Sequence, residues 1–178
     1  ARSSHDSIVV YPASENDHHN GTLMTSLVPA PDVTQAQLDT ATQYLTDIFN
    51  AVDYVGVICM ECFVHDGNIL VNEIAPRVHN SVHWTSKGAL TSQFENHIRA
   101  VAGLPLGSTK THGISGMLNL LGVTLTAAQA SDFNAYLTLY GKTTKPRRKL
   151  GHVTVNGVSY EAVTAQLQQL KTLAYGEE

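Results

Sequence analysis

The chain has 178 residues, of which 43% are hydrophobic and 15% charged, and it carries a net charge of −4. Such a composition excludes intrinsic disorder, and the length suits one domain or one lobe followed by a small second domain. The acidic balance argues against a general nucleic-acid binder, and no apolar run reaches the ~18 residues that a membrane helix needs.

The chain opens Ala1-Arg2-Ser3-Ser4-His5-Asp6, with neither an initiator Met nor a secretory pattern, and so reads as a cut through a longer protein. Residues 7–12 are expected to form a strand ending at Pro12. A polar, turn-rich stretch from Glu15 to Gly21 follows, then a strand over 22–29 closed by Pro29 and Pro31. Thr34 and Gln37 match a capping box, and Leu38, Ala41, Leu45, Ile48 and Phe49 recur at helical spacing, which predicts a helix over 34–51. A β-rich run from Tyr54 to Val64, the turn Asp66-Gly67 and the run Ile69–Ile74 predict a hairpin. A helix is expected over 89–102, with Leu90, Phe94, Ile98 and Val101 on one side, and Gly103 to Gly107 mark a domain boundary. Beyond it the reading is strand 113–121, helix 126–134, strands 135–141 and 150–156, and helix 159–173.

Glu61 and Glu73 fall on the two arms of the hairpin, and the register decides whether they meet. A three-residue loop with a bulge opposes them on one face. A two-residue loop opposes Glu61 to Asn72 and turns Glu73 away. Opposed carboxylates at ~5 Å repel by ~3 kcal/mol at an effective dielectric of ~20. A divalent cation bridging nucleotide phosphates would offset that, with Asn72 as a further oxygen donor, and an all-oxygen set favours Mg²⁺. The competing reading is a polar row on a solvent-facing edge strand. Cys59 and Cys62, the two cysteines, suit a cytoplasmic protein without disulfides, and three-residue spacing on a strand points their sulfurs to opposite faces.

The hairpin runs into Ala75-Pro76-Arg77-Val78-His79-Asn80-Ser81-Val82-His83-Trp84. Arg77 could clamp an anion, and His79 could move protons or donate to a developing oxyanion. His79 and His83 at i, i+4 would also suit zinc on a helix, although Pro76 argues for a loop. The basic run Lys142 to Lys149 is read either as a solvated loop or as a site for a phosphate monoester.

Three blocks carry a family resemblance: Met60-Glu61-Cys62-Phe63, Val71 to Ser81, and Thr91 to Ala100. Together with Glu15-Asn16, His18, Gly21, Leu104 to Gly107 and Lys149-Leu150-Gly151-His152, they resemble the N5-carboxyaminoimidazole ribonucleotide synthases of the ATP-grasp superfamily. The resemblance implies an α+β fold: residues 1–105 as the C-terminal lobe of an ATP-grasp domain, a mixed or antiparallel sheet with flanking helices, and 106–178 as a small α/β domain. It implies a ligase of purine biosynthesis that uses ATP, Mg²⁺ and bicarbonate, through carboxyphosphate, to carboxylate aminoimidazole ribonucleotide. Glu61 and Glu73 are similar to its metal ligands, and His18, Asn72 and Glu73 to nucleotide-site residues. Arg77, His79 and Asn80 resemble the catalytic group, and Lys142, Arg148 and Lys149 the residues that receive the ribonucleotide phosphate.

The implied enzyme is cytoplasmic and homodimeric, takes small-molecule substrates, and engages neither nucleic acid nor membrane. Val82 stands where the family often has Gly, and Pro146-Arg147-Arg148 where Arg-Pro-Gly-Arg is usual. The lobe whose lysines grip the nucleotide has no counterpart in these residues, so this portion alone is expected to be inactive. A related formate-dependent glycinamide ribonucleotide transformylase, a non-catalytic anion-binding module and a zinc hydrolase are the other classes weighed.

Overall fold

A computed structural model describes residues 1–176, and they form two compact units. The first unit comprises residues 1–13 and 32–110, the second 14–31 and 111–176. This division is not a single cut at 105/106. Residues 14–31 leave their sequence neighbours because residues 25–28 pair with a strand about ninety residues further on, and residues 15–19 pair in turn with 22–27.

In the first unit, helix α1 (Gln35–Ala51) begins with both reciprocal bonds of the Thr34/Gln37 capping box in place. Strands β3 (Cys59–His65) and β4 (Asn68–Ala75) form the hairpin, and Gln37 Nε2 ties α1 to its turn by donating to the Gly67 carbonyl at 3.1 Å. The chain then passes through a 3₁₀ turn (Asn80–Val82), the single-turn helix α2 (Thr85–Gly88) and helix α3 (Gln93–Val101). Phe49, Val57, Ile58, Ala75, Trp84 and Ala100 form its buried apolar interior.

The expected strand over 7–12 is absent. Ile8 makes only an isolated bridge to Arg2, and Pro12 has no N–H to extend a ladder. The expected helix over 89–102 is shorter at its start, because Ser92 caps α3 through the Glu95 N–H and residues 89–92 lie outside it. Its faces are also reversed. Leu90, Phe94, Ile98 and Val101 are exposed, while Gln93, Asn96 and Ala100 are buried. The polar pair can be buried because its hydrogen bonds are met: Asn96 accepts from the Gly107 N–H at 2.8 Å and donates to the Tyr11 hydroxyl at 2.7 Å.

The second unit is an antiparallel sheet of order β1-β2-β5-β7-β6. Its strands are β1 (Glu15–His19), β2 (Thr22–Val28), β5 (Ile114–Leu121), β6 (Tyr136–Leu139) and β7 (Lys149–Gly157). The stretch read as polar and turn-rich is β1, an edge strand with mostly exposed side chains, and Asn20-Gly21, both at positive φ, turn it back into β2. Polar composition concealed it, since an edge strand needs no apolar face. Helix α4 (Ala127–Ser131) and helix α5 (Tyr160–Tyr175) complete the unit. Leu118, Leu120, Val153 and Val155 of the central strands pack with Val163, Leu167 and Leu170 of α5. At Gly151 a Cβ would lie 2.2 Å from the Thr138 carbonyl oxygen, so the β6–β7 pairing requires glycine there.

Candidate active site

Hairpin chemistry dictates how the first group of residues is built. Asp66 and Gly67 at positive φ make a two-residue turn, with His65 opposite Asn68. By itself that register would oppose Glu61 to Asn72. A β-bulge intervenes: Cys62 pairs with Val71 but Glu61 pairs with Glu73, leaving Asn72 as the extra residue. The three-residue loop is therefore wrong in its mechanism and right in its outcome. A bulge beside Asn72, rather than a longer turn, opposes the two carboxylates.

His79 confirms that they share a face. Its Nδ1 lies 3.4 Å from Glu61 Oε1 and its Nε2 4.0 Å from Glu73 Oε1, so one imidazole spans both. The Arg77 guanidinium is 3.9 Å from the same Glu73 oxygen. His79 is extended, and it caps the 3₁₀ turn through the Ser81 N–H, while the Ser81 hydroxyl meets Nδ1 at 2.9 Å. Asn80 is the first residue of that turn and half-buried. The Glu61 and His79 side chains are only 17% and 12% exposed, whereas that of Glu73 is 50% exposed. The pair thus has one shielded and one accessible carboxylate.

Residues 79–83 are not a single α-helix, which removes the i, i+4 geometry a His79/His83 zinc pair requires. Among the described residues no group of three or more His, Cys, Asp or Glu is placed to hold a metal ion. An ion resting on Glu61 and Glu73 would complete its shell with phosphate and water oxygens, as Mg²⁺ commonly does. Cys59 Sγ lies 3.6 Å from the Ser81 hydroxyl, and burial pushes its thiol up to about 11, so it stays protonated and inert.

The second unit carries the other residues. His18 is exposed on β1 at a register shift, opposite Leu23. Lys142 and Lys149 share the ring of Tyr140, with Nζ atoms 5.2 and 5.6 Å from its centroid. Burial, and secondarily the charge of Lys142, lowers Lys149 to about 7. Burial lowers His152 to about 4, so it is neutral, and its Nδ1 shares a 2.7 Å hydrogen bond with the Tyr140 hydroxyl. Arg148 does not join this cluster; its guanidinium donates to the Thr143 carbonyl at 3.4 Å. Tyr140 went unrecognised in the sequence because it sits just before the basic run and shows no motif of its own. His152 belonged to the Lys-Leu-Gly-His block, but only the fold gives it a partner.

Within the first unit, an acidic pair with a bridging histidine suits a metal-bound polyphosphate; within the second, a basic cluster suits a phosphate ester. An ATP-grasp domain model matches residues 1–94, and a phosphoribosylaminoimidazole carboxylase C-terminal domain model matches 115–166. The chain belongs to the ATP-grasp family.

Within that family it is similar to N5-carboxyaminoimidazole ribonucleotide synthases. It is 48% identical over 159 residues to that of Vibrio parahaemolyticus, covering 88% of this chain and 41% of the relative. It is 41% identical over 170 residues to that of Escherichia coli, covering 96% and 48%. The synthetase structure from Thermus thermophilus superimposes with a TM-score of 0.94 at 44% identity, over 98% of this chain and 49% of that one. The Aspergillus clavatus enzyme in complex with ADP and 5-aminoimidazole ribonucleotide gives 0.86 at 32% identity, over 97% and 49%. The chain thus spans less than half the length of these relatives. No described helix is long and apolar enough to cross a membrane.

Proposed function

We propose that this chain is part of a ligase that carboxylates 5-aminoimidazole ribonucleotide on its exocyclic amine, using ATP and bicarbonate, in purine biosynthesis. The observation that carries the reading is the bulge-set opposition of Glu61 and Glu73 beneath one imidazole. In the overall reaction ATP phosphorylates bicarbonate to carboxyphosphate, releasing ADP. The amine then attacks the carboxyl carbon and expels phosphate.

Glu61 and Glu73, with Asn72 beside them, would hold Mg²⁺, which neutralises charge on the transferring phosphoryl oxygens. Asn72, Glu73 and His18 are assigned to the nucleotide. Arg77, as a fixed cation, stabilises the anionic carboxyphosphate, while His79 and Asn80 offer donors where oxyanion charge develops. Lys142, Arg148 and Lys149 receive the ribonucleotide phosphate, with Lys142 and Lys149 already gathered on one ring. The enzyme of which this chain is part is read as cytoplasmic and homodimeric.

The test is a phosphate-release assay with product analysis. A protein of the relatives' length carrying this sequence is expected to hydrolyse ATP only with both bicarbonate and aminoimidazole ribonucleotide present, forming the N5-carboxylated nucleotide. Residues 1–178 alone are expected to show no such turnover. ATP hydrolysis indifferent to the aminoimidazole acceptor would remove the reading.

The basic cluster gives a separate prediction. Below about 7 Lys149 is charged, and above it the ammonium is lost, so anion affinity falls as pH rises through that value. Sulfate is the suitable probe because its own charge is constant there. Its affinity is expected to weaken by more than about tenfold between pH 6.5 and 8.5 at low ionic strength, the partly screened effect of one charge on a dianion at ~4 Å in water. Lys149→Gln should bind weakly and without that dependence. A flat profile for the unsubstituted chain, measured by calorimetry, would take Lys149 out of the anion site.

A further inference from the structure

Gln93 opens α3 with its side chain turned inward, fully shielded from solvent. A buried primary amide must satisfy two N–H donors and a carbonyl. Gln93 does so on the segment that carries His79. Its Oε1 accepts from the His79 backbone N–H at 2.9 Å, and its Nε2 donates to the His79 carbonyl at 2.9 Å. This is the pair of bonds a neighbouring strand would make, supplied by one side chain to an extended residue. The remaining Nε2 proton faces His83 Nδ1 at 2.7 Å.

These contacts determine the amide's orientation. Exchanging its oxygen and nitrogen would set donor against donor at the His79 N–H and acceptor against acceptor at its carbonyl. With the NH₂ group so placed, His83 Nδ1 must be the unprotonated nitrogen, and the ring hydrogen resides on Nε2. Gln93 is itself anchored, since its backbone N–H donates to Thr85 Oγ1 at 3.1 Å and that hydroxyl donates to the Val82 carbonyl at 2.7 Å.

We propose that Gln93 is a positioning residue of the candidate site: its amide pins both peptide groups of His79 against Glu61 and Glu73 and fixes His83 as the Nε2–H tautomer. The inference rests on the reading of His79 as a site residue. The requirement for an amide follows from its three partners. Leu would satisfy none of them, and Glu would present an acceptor to two groups that need a donor.

The experiment is nitrogen-15 NMR of histidine-labelled chain at pH 7.5, with amide exchange measured alongside. The unsubstituted chain is expected to show His83 as Nε2–H. Gln93→Glu offers a carboxylate to Nδ1, so the His83 signals should move to the Nδ1–H or doubly protonated pattern. A residue needed only for folding would not shift a ring tautomer. Gln93→Leu should speed exchange of the His79 amide by about tenfold, the loss of one hydrogen bond, and leave α1 amides unchanged. If Gln93→Leu does not fold, Gln93→Glu decides alone. An Nδ1–H tautomer in the unsubstituted chain, or unchanged His83 signals in Gln93→Glu, overturns the proposal. The premise is tested apart from it: normal turnover of His79→Ala in the full-length ligase would remove His79 from the chemistry and leave the Gln93 clamp standing.

Discussion

In a full-length ligase carrying this sequence, Glu73→Gln is expected to lower ATP-dependent turnover by more than about 100-fold, beyond the 10–100-fold typical of a metal site's outer shell. The amide keeps the size of the side chain and one carbonyl oxygen, so the variant removes charge and little else. Glu73 is the more accessible carboxylate of the pair, half-exposed where Glu61 is mostly covered, and it is the one to which Arg77 and His79 both point. Its negative charge is therefore the part of the pair available to an incoming metal–nucleotide complex. The same substitution relieves repulsion across the Glu61–Glu73 register pair, so the melting temperature should not fall. Loss of turnover with unimpaired stability is the signature to look for. Near-normal turnover would exclude Glu73 from the site.

Trp84→Ala is expected to destabilise the first unit by about 3–5 kcal/mol. Trp84 is 1% exposed and packs edge-on against Tyr11, with ring centroids 6.3 Å apart. The Tyr11 hydroxyl in turn donates to the Thr91 carbonyl at 2.8 Å, and the Trp84 carbonyl accepts from the Gly88 N–H at 2.8 Å. The indole is thus the apolar anchor beneath a polar segment that has little else to bury. Removing it opens a cavity that this rigid, hydrogen-bonded surrounding cannot close. Urea denaturation followed by circular dichroism measures the effect, with Trp84→Phe as the milder comparison. A loss under about 1 kcal/mol would mean that the segment is held by its hydrogen bonds and not by the ring.

Much of this site was legible in one dimension. The Thr34/Gln37 box marked the start of α1, Asp66-Gly67 marked the hairpin turn, and Glu61, Glu73, Arg77 and His79 stood out as charged or titratable side chains around an apolar strand. Motif similarity supplied the family, and the match of an ATP-grasp model to residues 1–94 supports it. What failed did so for identifiable reasons. The apolar spacing of Leu90, Phe94, Ile98 and Val101 pointed to a helix face without saying which way it turned, and Gln93 and Asn96 took the interior because their partners lie elsewhere in the chain. The strand β1 lacked apolar alternation because it is an edge strand whose side chains are mostly exposed.

Local chemistry alone determined the turns, the caps and the identity of the charged groups, since these depend on residues a few positions apart. Only the tertiary structure decided which of those groups meet. The bulge at Asn72 resets the register by one residue, and a one-residue change moves a side chain to the opposite face of a strand. The clamp from Gln93 to His79 spans fourteen residues, and the joining of 14–31 to a distant sheet spans many more. Such pairings are selected by the free energy of satisfying buried polar groups across the whole fold, which no short window of sequence contains.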